Sequence, residues 1–175
     1  MKSPAKYLES VRQQLLYYKS LGDKSIAQLE PAMLFLQPNE ESNSIAMIIQ
    51  HMHGNMMSRW TDFLTSDGEK QWRQRDAEFE VALTEKEEVL KRWEEGWACV
   101  MSAIDQLDET HLNQVVYIRS EPHTVTEAIN RQLAHYPYHV GQIVFYAKQL
   151  IGADFKSLSI AKNKSKEFNR QKFGK

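Results

Sequence analysis

The chain has 175 residues and is 42% hydrophobic, which fits one globular domain with a substantial core. Its formal net charge of −1 gives no overall field for nucleic acid, and no apolar run is long enough to span a bilayer, so neither partner is expected. The single cysteine, Cys99, excludes an internal disulfide, and with no hydrophobic signal segment at the start it favours a reducing, cytoplasmic location.

The first two helices are predicted from the spacing of apolar residues. Such residues recur at helical intervals over residues 7–21, and Gly22 is a plausible end, although the pattern resumes through Ile26. A second helix is predicted to begin at the capping residues 43–44, to run through Phe63 and to be ended by residues 66–68.

The second helix carries two histidines, and periodicity leaves open which of them belongs to a site. At about 100° per residue, the apolar centre of the helix falls between His51 and His53, so the two flank the core on opposite sides. Asn55 and Ser58 share the side of His51, and these polar neighbours slightly favour it.

A polar, charged link over residues 70–83 precedes the third helix. It is long for a structureless connection, so it is either packed by its aromatic anchors, Trp72 and Phe79, or functional. Residues 84–87 match a capping box and predict a third helix that continues to Leu107.

The last predicted helix contains the most informative pattern in the chain. After a short extended segment over residues 115–118, a capping box over residues 124–127 opens this helix, and Gly152 closes it. His135 and His139 lie four residues apart, hence on one face, as in the helical pairs with which zinc enzymes hold a metal ion. Such pairs also arise by chance in amphipathic helices, so packed structural histidines are the alternative.

About four amphipathic helices joined by short links predict an all-α fold, an antiparallel four-helix bundle. The domain is predicted over residues 1–155. Residues 156–175 carry seven lysines and arginines, and we expect a basic tail that is solvated and lies partly along the body.

Pro137 interrupts the fourth helix, where an interior proline costs about 3 kcal/mol, so a functional or packing reason is expected.

Much of the chain resembles the DUF1572 family, within the DinB superfamily of metal-binding four-helix bundles. The resembling stretches are residues 43–79 (with IIQHMHGN at 48–55, SRWTDF at 58–63 and DGEK at 67–70), 119–124, 135–148, 157–160 and 164–166. The resemblance implies an up-down-down-up bundle with three histidine ligands on a divalent metal, usually Zn²⁺ or Ni²⁺, and open positions beside them. Carried over to this chain, the ligands are His51, His135 and His139, whereas His53 has no counterpart.

The same resemblance implies a choice of functions. The superfamily includes S-transferases that use thiols such as bacillithiol or mycothiol, proteins described as hydrolases, and many homodimers. A metal-dependent transferase acting on a low-molecular-weight thiol is the first interpretation. A metal-dependent hydrolase and a non-catalytic metal-binding or dimerisation bundle are the alternatives. Tyr136 follows His135 where the zinc-peptidase motif has glutamate, which argues against that mechanism.

Two arginines are candidates for substrate binding. Arg59 on the second helix and Arg119 before the fourth could each hold a carboxylate or phosphate by a bidentate pair. An ordinary salt bridge is the favoured alternative for both. No catalytic residue is identified, and Glu121 and Asp62 are weak candidates for a general base.

Two amides are candidates to orient the histidines. Asn55 and Gln142 lie about one turn from His51 and His139, respectively, and could fix an imidazole tautomer by a hydrogen bond. Gln142 is favoured because it shares a face with both histidines of its helix.

Overall fold

The computed structural model describes residues 6–80 and 83–174, which are mainly helical, so the predicted all-α class is confirmed. The helices are α1 (Tyr7–Ile26), α2 (Ile45–Trp60), α3 (Lys86–Asp105), α4 (Val125–Ile151) and α5 (Ser165–Phe173). Short 3-10 turns lie between them at Pro31–Phe35, Asp76–Phe79, Glu109–His111 and Gly152–Asp154.

Caps confirm the predicted start of α2 and both predicted ends of α4. The Ser44 hydroxyl accepts the backbone N–H of Met47 at the start of α2. At the start of α4, Thr124 and Glu127 bond each other's backbone N–H groups in the predicted capping box. Gly152 follows the last residue of α4 with φ of 67°, a conformation that suits glycine.

Two predicted boundaries are wrong. Thr84 does not cap α3, because that helix begins only at Lys86 and is preceded by Glu85, whose side chain makes no capping bond. Helix α2 ends at Trp60 rather than at residues 66–68, because the backbone becomes extended at the next residue and Asp62 then takes φ of 49°.

The core lies among the four long helices, with α2 packed on α3 and α1 packed on α4, while α2 also contacts α4. Its largest fully buried side chains include Leu15, Leu34, Ile49, Met52, Met56, Trp97, Tyr136 and Ile143. Helix α1 continues through Gly22, since the Trp93 ring packs there so closely that a Cβ atom would lie 2.4 Å from it. The α2–α4 contact positions the site described below.

A β-hairpin precedes α4. Strand β1 (Val115–Ile118) confirms the predicted extended segment and pairs antiparallel with β2 (Glu121–Thr124), which was not predicted because proline is rare in strands. Arg119 and Ser120 form the turn with φ of 58° and 62°, the left-handed pair that a tight hairpin turn requires. The Asp67 carboxylate accepts both of their backbone N–H groups, at 2.9 and 2.6 Å.

The basic segment at the end of the chain contains α5, which apolar periodicity did not predict. None of its residues is buried, and Lys164 pairs with Glu167 of the same segment. Within residues 6–80 and 83–174, we find no helix that is both long and apolar enough to cross a membrane.

Candidate metal centre

Helix α4 brings His135 and His139 together as their spacing predicts. Their Nε2 atoms lie 3.0 Å apart on one face of a helix that continues through Pro137. Both rings are half-buried, between the core and the surface. The helix therefore presents two ring nitrogens side by side.

Helix α2 adds a third imidazole, that of His51. Its Nε2 atom lies 3.4 Å from that of His135, and the cluster offers three ring nitrogens that all lie within 4.8 Å of one another. His53 is outside this cluster, because its ring faces α3 with Nε2 3.6 Å from a carboxylate oxygen of Glu95. The structure thus separates the two histidines between which periodicity could not choose.

Two of the three nitrogen separations are close to those found around a divalent metal ion. Two nitrogens bound to a tetrahedral zinc ion at about 2.0–2.1 Å are about 3.3–3.4 Å apart. The observed separations from His135 are 3.0 and 3.4 Å. If His135 Nε2 carries a proton, it can donate to the Nε2 atom of only one of the other two histidines. A metal cation instead accepts the lone pairs of all three Nε2 atoms. The three histidines could therefore hold a metal ion.

Oxygen acceptors hold the outer nitrogens of two of the rings. His139 Nδ1 lies 2.8 Å from Gln142 Oε1, the contact that helical spacing predicts, and His51 Nδ1 lies 2.9 Å from Glu78 Oε2. Because these oxygens accept, each Nδ1 carries a proton, which leaves Nε2 as the ring atom that faces the cluster.

The α4 histidines are neutral at physiological pH. Burial lowers the pKa of His135 to about 3, and the positive charges that His139 and His51 would carry act in the same direction. Burial also lowers the pKa of His139 to about 4, against the opposing hydrogen bond to Gln142. Metal binding requires neutral imidazole, so these rings are ready to bind without losing a proton.

Sequence reasoning missed Glu78, which lies in the charged link between α2 and α3. Its side chain is only 8% exposed, and Arg73 donates to both of its carboxylate oxygens, at 2.7 and 2.9 Å. Burial by itself would raise the pKa of Glu78, but hydrogen bonds from His51 and Arg73 outweigh it and hold that pKa below its ordinary value. The carboxylate is therefore ionised. In the sequence, only the unusual length and the many charged residues of this link indicated that it could be functional.

The aromatic anchors predicted for this link behave differently. Phe79 stacks on the His51 ring with centroids 4.7 Å apart. Trp72 is 58% exposed, so its predicted anchoring role is wrong. The tryptophan projects outward, while the following 3-10 turn carries Phe79 back onto α2. Residues 81 and 82 of the link lie outside the described part of the chain.

The other predicted site residues bind elsewhere. Asn55 Oδ1 accepts the hydroxyl of Tyr136 at 3.2 Å, so the carboxylate of the link, rather than this amide, meets the α2 histidine. Arg59 is buried and donates to Glu69 at 2.9 Å, and Arg119, about half exposed, donates to the same carboxylate at 3.1 Å. Both arginines thus form the salt bridges that were their favoured alternative.

The two candidate general bases lie away from the cluster. Asp62 lines a cavity of about 430 Å³ beyond the end of α2, together with Cys99, and Glu121 is exposed on the hairpin. Burial raises the pKa of the Cys99 thiol despite opposing effects of Thr61 and Lys70, so it is protonated at neutral pH. Among residues 6–80 and 83–174, Glu78 is the carboxylate that bonds a histidine of the cluster.

A second cavity, also of about 430 Å³, lies against Gln142 on α4. Gln142, which binds His139, is part of its wall. The remainder of the wall mixes apolar and polar side chains, among them Ile48, Asn43, Phe145, Tyr146 and Gln149. This cavity has room for a small molecule, and Gln142 is its link to the cluster, since none of the three histidines lines it.

Comparisons with known proteins place the chain among others of similar architecture. The model of a family described as "Protein of unknown function (DUF1572)" matches residues 2–164. A solved structure described as "Crystal structure of the conserved protein of locus from Enterococcus faecalis" is similar with a TM-score of 0.64 and 18% identity, over 85% of this chain and 99% of that chain. At that identity the likeness shows the fold alone. No curated protein matches the chain.

Proposed function

The chain belongs to the DUF1572 family, and from this premise we propose that it is a metal-dependent S-transferase acting on a low-molecular-weight thiol, with Zn²⁺ or Ni²⁺ held by His51, His135 and His139. The convergence of three Nε2 atoms from two helices carries the proposal. Three protein ligands leave a position open for a reactant, the pattern of catalytic rather than structural zinc sites. We further propose that α1 to α4, within residues 1–155, form the up-down-down-up bundle of the DinB superfamily.

A thiol is favoured over water as the nucleophile, because the carboxylate beside the cluster is already engaged in hydrogen bonds. A divalent ion supplies a Lewis acid that lowers the pKa of a thiol or of water near neutrality. Zinc hydrolases of the peptidase type add a carboxylate as general base, and the carboxylate nearest the cluster, Glu78, is engaged by His51 and Arg73. A thiol that has lost its proton needs no further base to attack an electrophile. Hydrolysis, and metal binding without catalysis, remain the alternatives.

Residues beside the cluster have proposed roles in holding substrate. Gln142 orients His139 and lines the adjacent cavity, where Phe145 and Tyr146 give apolar surface to an electrophile. Arg119 keeps about half of its side chain exposed and is the better arginine for an anionic group, since Arg59 is buried. The thiol and electrophile are both small molecules in this proposal.

Metal binding is tested by equilibrium dialysis of the purified protein against Zn²⁺ and Ni²⁺. We expect one ion per chain, and in His135→Ala a loss of at least 100-fold in affinity, because removing one of three ligands costs about 3 kcal/mol or more. His53→Ala is the matched control, since it removes an imidazole from the same region outside the cluster. Full stoichiometric binding by His135→Ala would show that the site is wrong.

The reaction is tested with the metal-loaded protein. Monochlorobimane is offered with bacillithiol, mycothiol, cysteine and glutathione in turn, followed by ester and amide substrates. Metal-dependent conjugation of a thiol supports the proposal, whereas hydrolysis of an ester or amide alone favours the hydrolase. Metal binding without either activity favours the non-catalytic alternative.

The oligomeric state and location follow from the same proposal. We propose a homodimer, as is common in the superfamily that the chain resembles, and a cytoplasmic location, which fits the single cysteine. Light scattering coupled to size-exclusion chromatography measures the first directly, and a mass equal to one chain contradicts it.

A further inference from the structure

We propose that Glu78, clamped by Arg73, is a positioning residue that fixes the ring orientation and tautomer of His51, so that Nε2 faces the metal site. This inference rests on the proposed function for the identity of the site. The contact itself is a property of the chain. It joins α2 to the link before α3 through residues 27 positions apart.

The three side chains form a buried relay. Arg73 donates Nε–H to one oxygen of Glu78 and Nη2–H to the other, and the second oxygen accepts His51 Nδ1–H at 2.9 Å. The exposed fractions of the Arg73, Glu78 and His51 side chains are 2%, 8% and 6%. A bidentate arginine leaves a carboxylate little freedom to rotate, so its remaining lone pair has a defined direction.

Helix α2 is shaped to receive this carboxylate. Gln50 donates its amide to the carbonyl of Ala77 at 2.9 Å, which ties down the backbone beside Glu78. At Gly54, one turn beyond the histidine, a Cβ atom would lie 2.2 Å from Glu78 Oε1. Glycine therefore permits the carboxylate to lie directly against the helix.

The geometry has a consequence for the metal ligand. An ionised carboxylate only accepts hydrogen bonds, so it selects the His51 tautomer with the proton on Nδ1. Without it, the proton can occupy Nε2, which then cannot bind a metal. Loss of such an outer hydrogen bond costs 10- to 100-fold in metal affinity in zinc proteins.

The test compares two variants with two matched controls, all in the full chain. Glu78→Gln keeps the volume of the side chain but replaces one carboxylate oxygen by an NH2 group. That group cannot accept a hydrogen bond, so either Arg73 or His51 loses its acceptor. Gly54→Ala displaces the carboxylate without removing any charge, so it tests the contact even if the first variant folds poorly. The controls are Glu80→Gln, an exposed glutamate of the same link, and Gly141→Ala, a helical glycine with no atom within 4 Å of the added Cβ.

Zinc affinity is measured by competition with a chromophoric chelator. We expect about 10- to 100-fold weaker binding for Glu78→Gln and Gly54→Ala, and less than about twofold change for the controls. In metal-free protein, NMR of the ring nitrogens should show His51 as the Nδ1–H tautomer in wild type and controls, and a mixture in the two variants. A general packing defect would not change this tautomer.

The outcomes separate the two proposals. If both variants match wild type in zinc affinity and in the tautomer of His51, the positioning role is overturned. If wild type binds no zinc, the proposed function is overturned, and the tautomer in metal-free protein then decides the role of Glu78. A single Nδ1–H tautomer that persists in both variants would also overturn that role.

Discussion

The two helices that supply the histidines hold them in different ways. On α4, His135, His139 and Gln142 lie within eight residues, so the spacing and the orienting hydrogen bond form as soon as the helix forms. On α2, His51 takes its partner from a link 27 residues away. One half of the site is therefore local, and the other half exists only when the chain between α2 and α3 has docked.

The orienting groups differ in charge as well as in distance. Gln142 is a neutral amide at the edge of a cavity, whereas Glu78 is an ionised carboxylate with an arginine beside it, and both charges are buried. A buried ion pair contributes little net stability while it is intact, but breaking it leaves an uncompensated charge in a poorly hydrated place. The α2 half should therefore be the more vulnerable to substitution.

The largest effect is expected when Arg73 is replaced. Arg73→Met leaves the Glu78 carboxylate buried without its partner and should lower the free energy of unfolding by about 3–5 kcal/mol. Urea denaturation of metal-free protein measures this loss. Arg75→Met is the control, because that arginine is exposed and lies over the Phe79 ring at 5.8 Å, a contact that contributes about 0.5–1 kcal/mol. Equal losses in the two variants would contradict the contrast between the halves.

A smaller effect is expected on the α4 side. Gln142→Ala removes a neutral hydrogen bond from His139, about half as strong as a charge-assisted one, so zinc affinity should fall by about 3- to 10-fold. The chelator competition described for Glu78 measures it. Gln149→Ala, on the same helix and the same cavity wall, should leave the affinity unchanged. A fall as large as that of Glu78→Gln would remove the distinction between amide and carboxylate.

The same division explains what the sequence could predict. The fourth helix was predicted with its capping box, its glycine end and its histidine pair, because each depends on residues at most four positions apart. Helices α2 and α3 were predicted with errors at their ends, and the end of α1 was left open between Gly22 and a continuation through Ile26. Gly22 continues α1 because Trp93 packs on it, a contact that periodicity cannot register.

The α2 half was beyond prediction from residue spacing. His51 and His53 flank the same apolar stripe, and polar neighbours favoured His51 only slightly. The placement of α4 on one side and α3 on the other distinguishes them. Glu78 stood in a link with no periodicity, among other charged residues of similar appearance. The resemblance to a known family selected His51, but it carried no information about the carboxylate that holds it.

An effect that depends on pH is expected for Glu69, whose carboxylate connects Arg73 to Arg119 of the hairpin. Its carboxylate pairs with Arg59 at 2.9 Å, with Arg73 at 3.7 Å and with Arg119 at 3.1 Å. Burial alone would raise the pKa of Glu69, but these arginines outweigh it and lower that pKa below its ordinary value. A carboxyl whose pKa is lower in the folded chain stabilises the fold above its unfolded pKa, and this contribution disappears as pH falls through the folded value.

Glu69→Gln therefore separates the acid response of this cluster from that of the histidines. The free energy of unfolding of metal-free wild type should exceed that of the variant at pH 7, and the difference should shrink as pH falls below about 4. Both proteins retain His135 and His139, so the destabilisation that these rings cause below about pH 6.5 cancels in the difference. Gln142 does not titrate, so the group that orients His139 adds nothing to this acid response. A difference that grows toward low pH would show that the arginines do not hold this carboxylate in its ionised form.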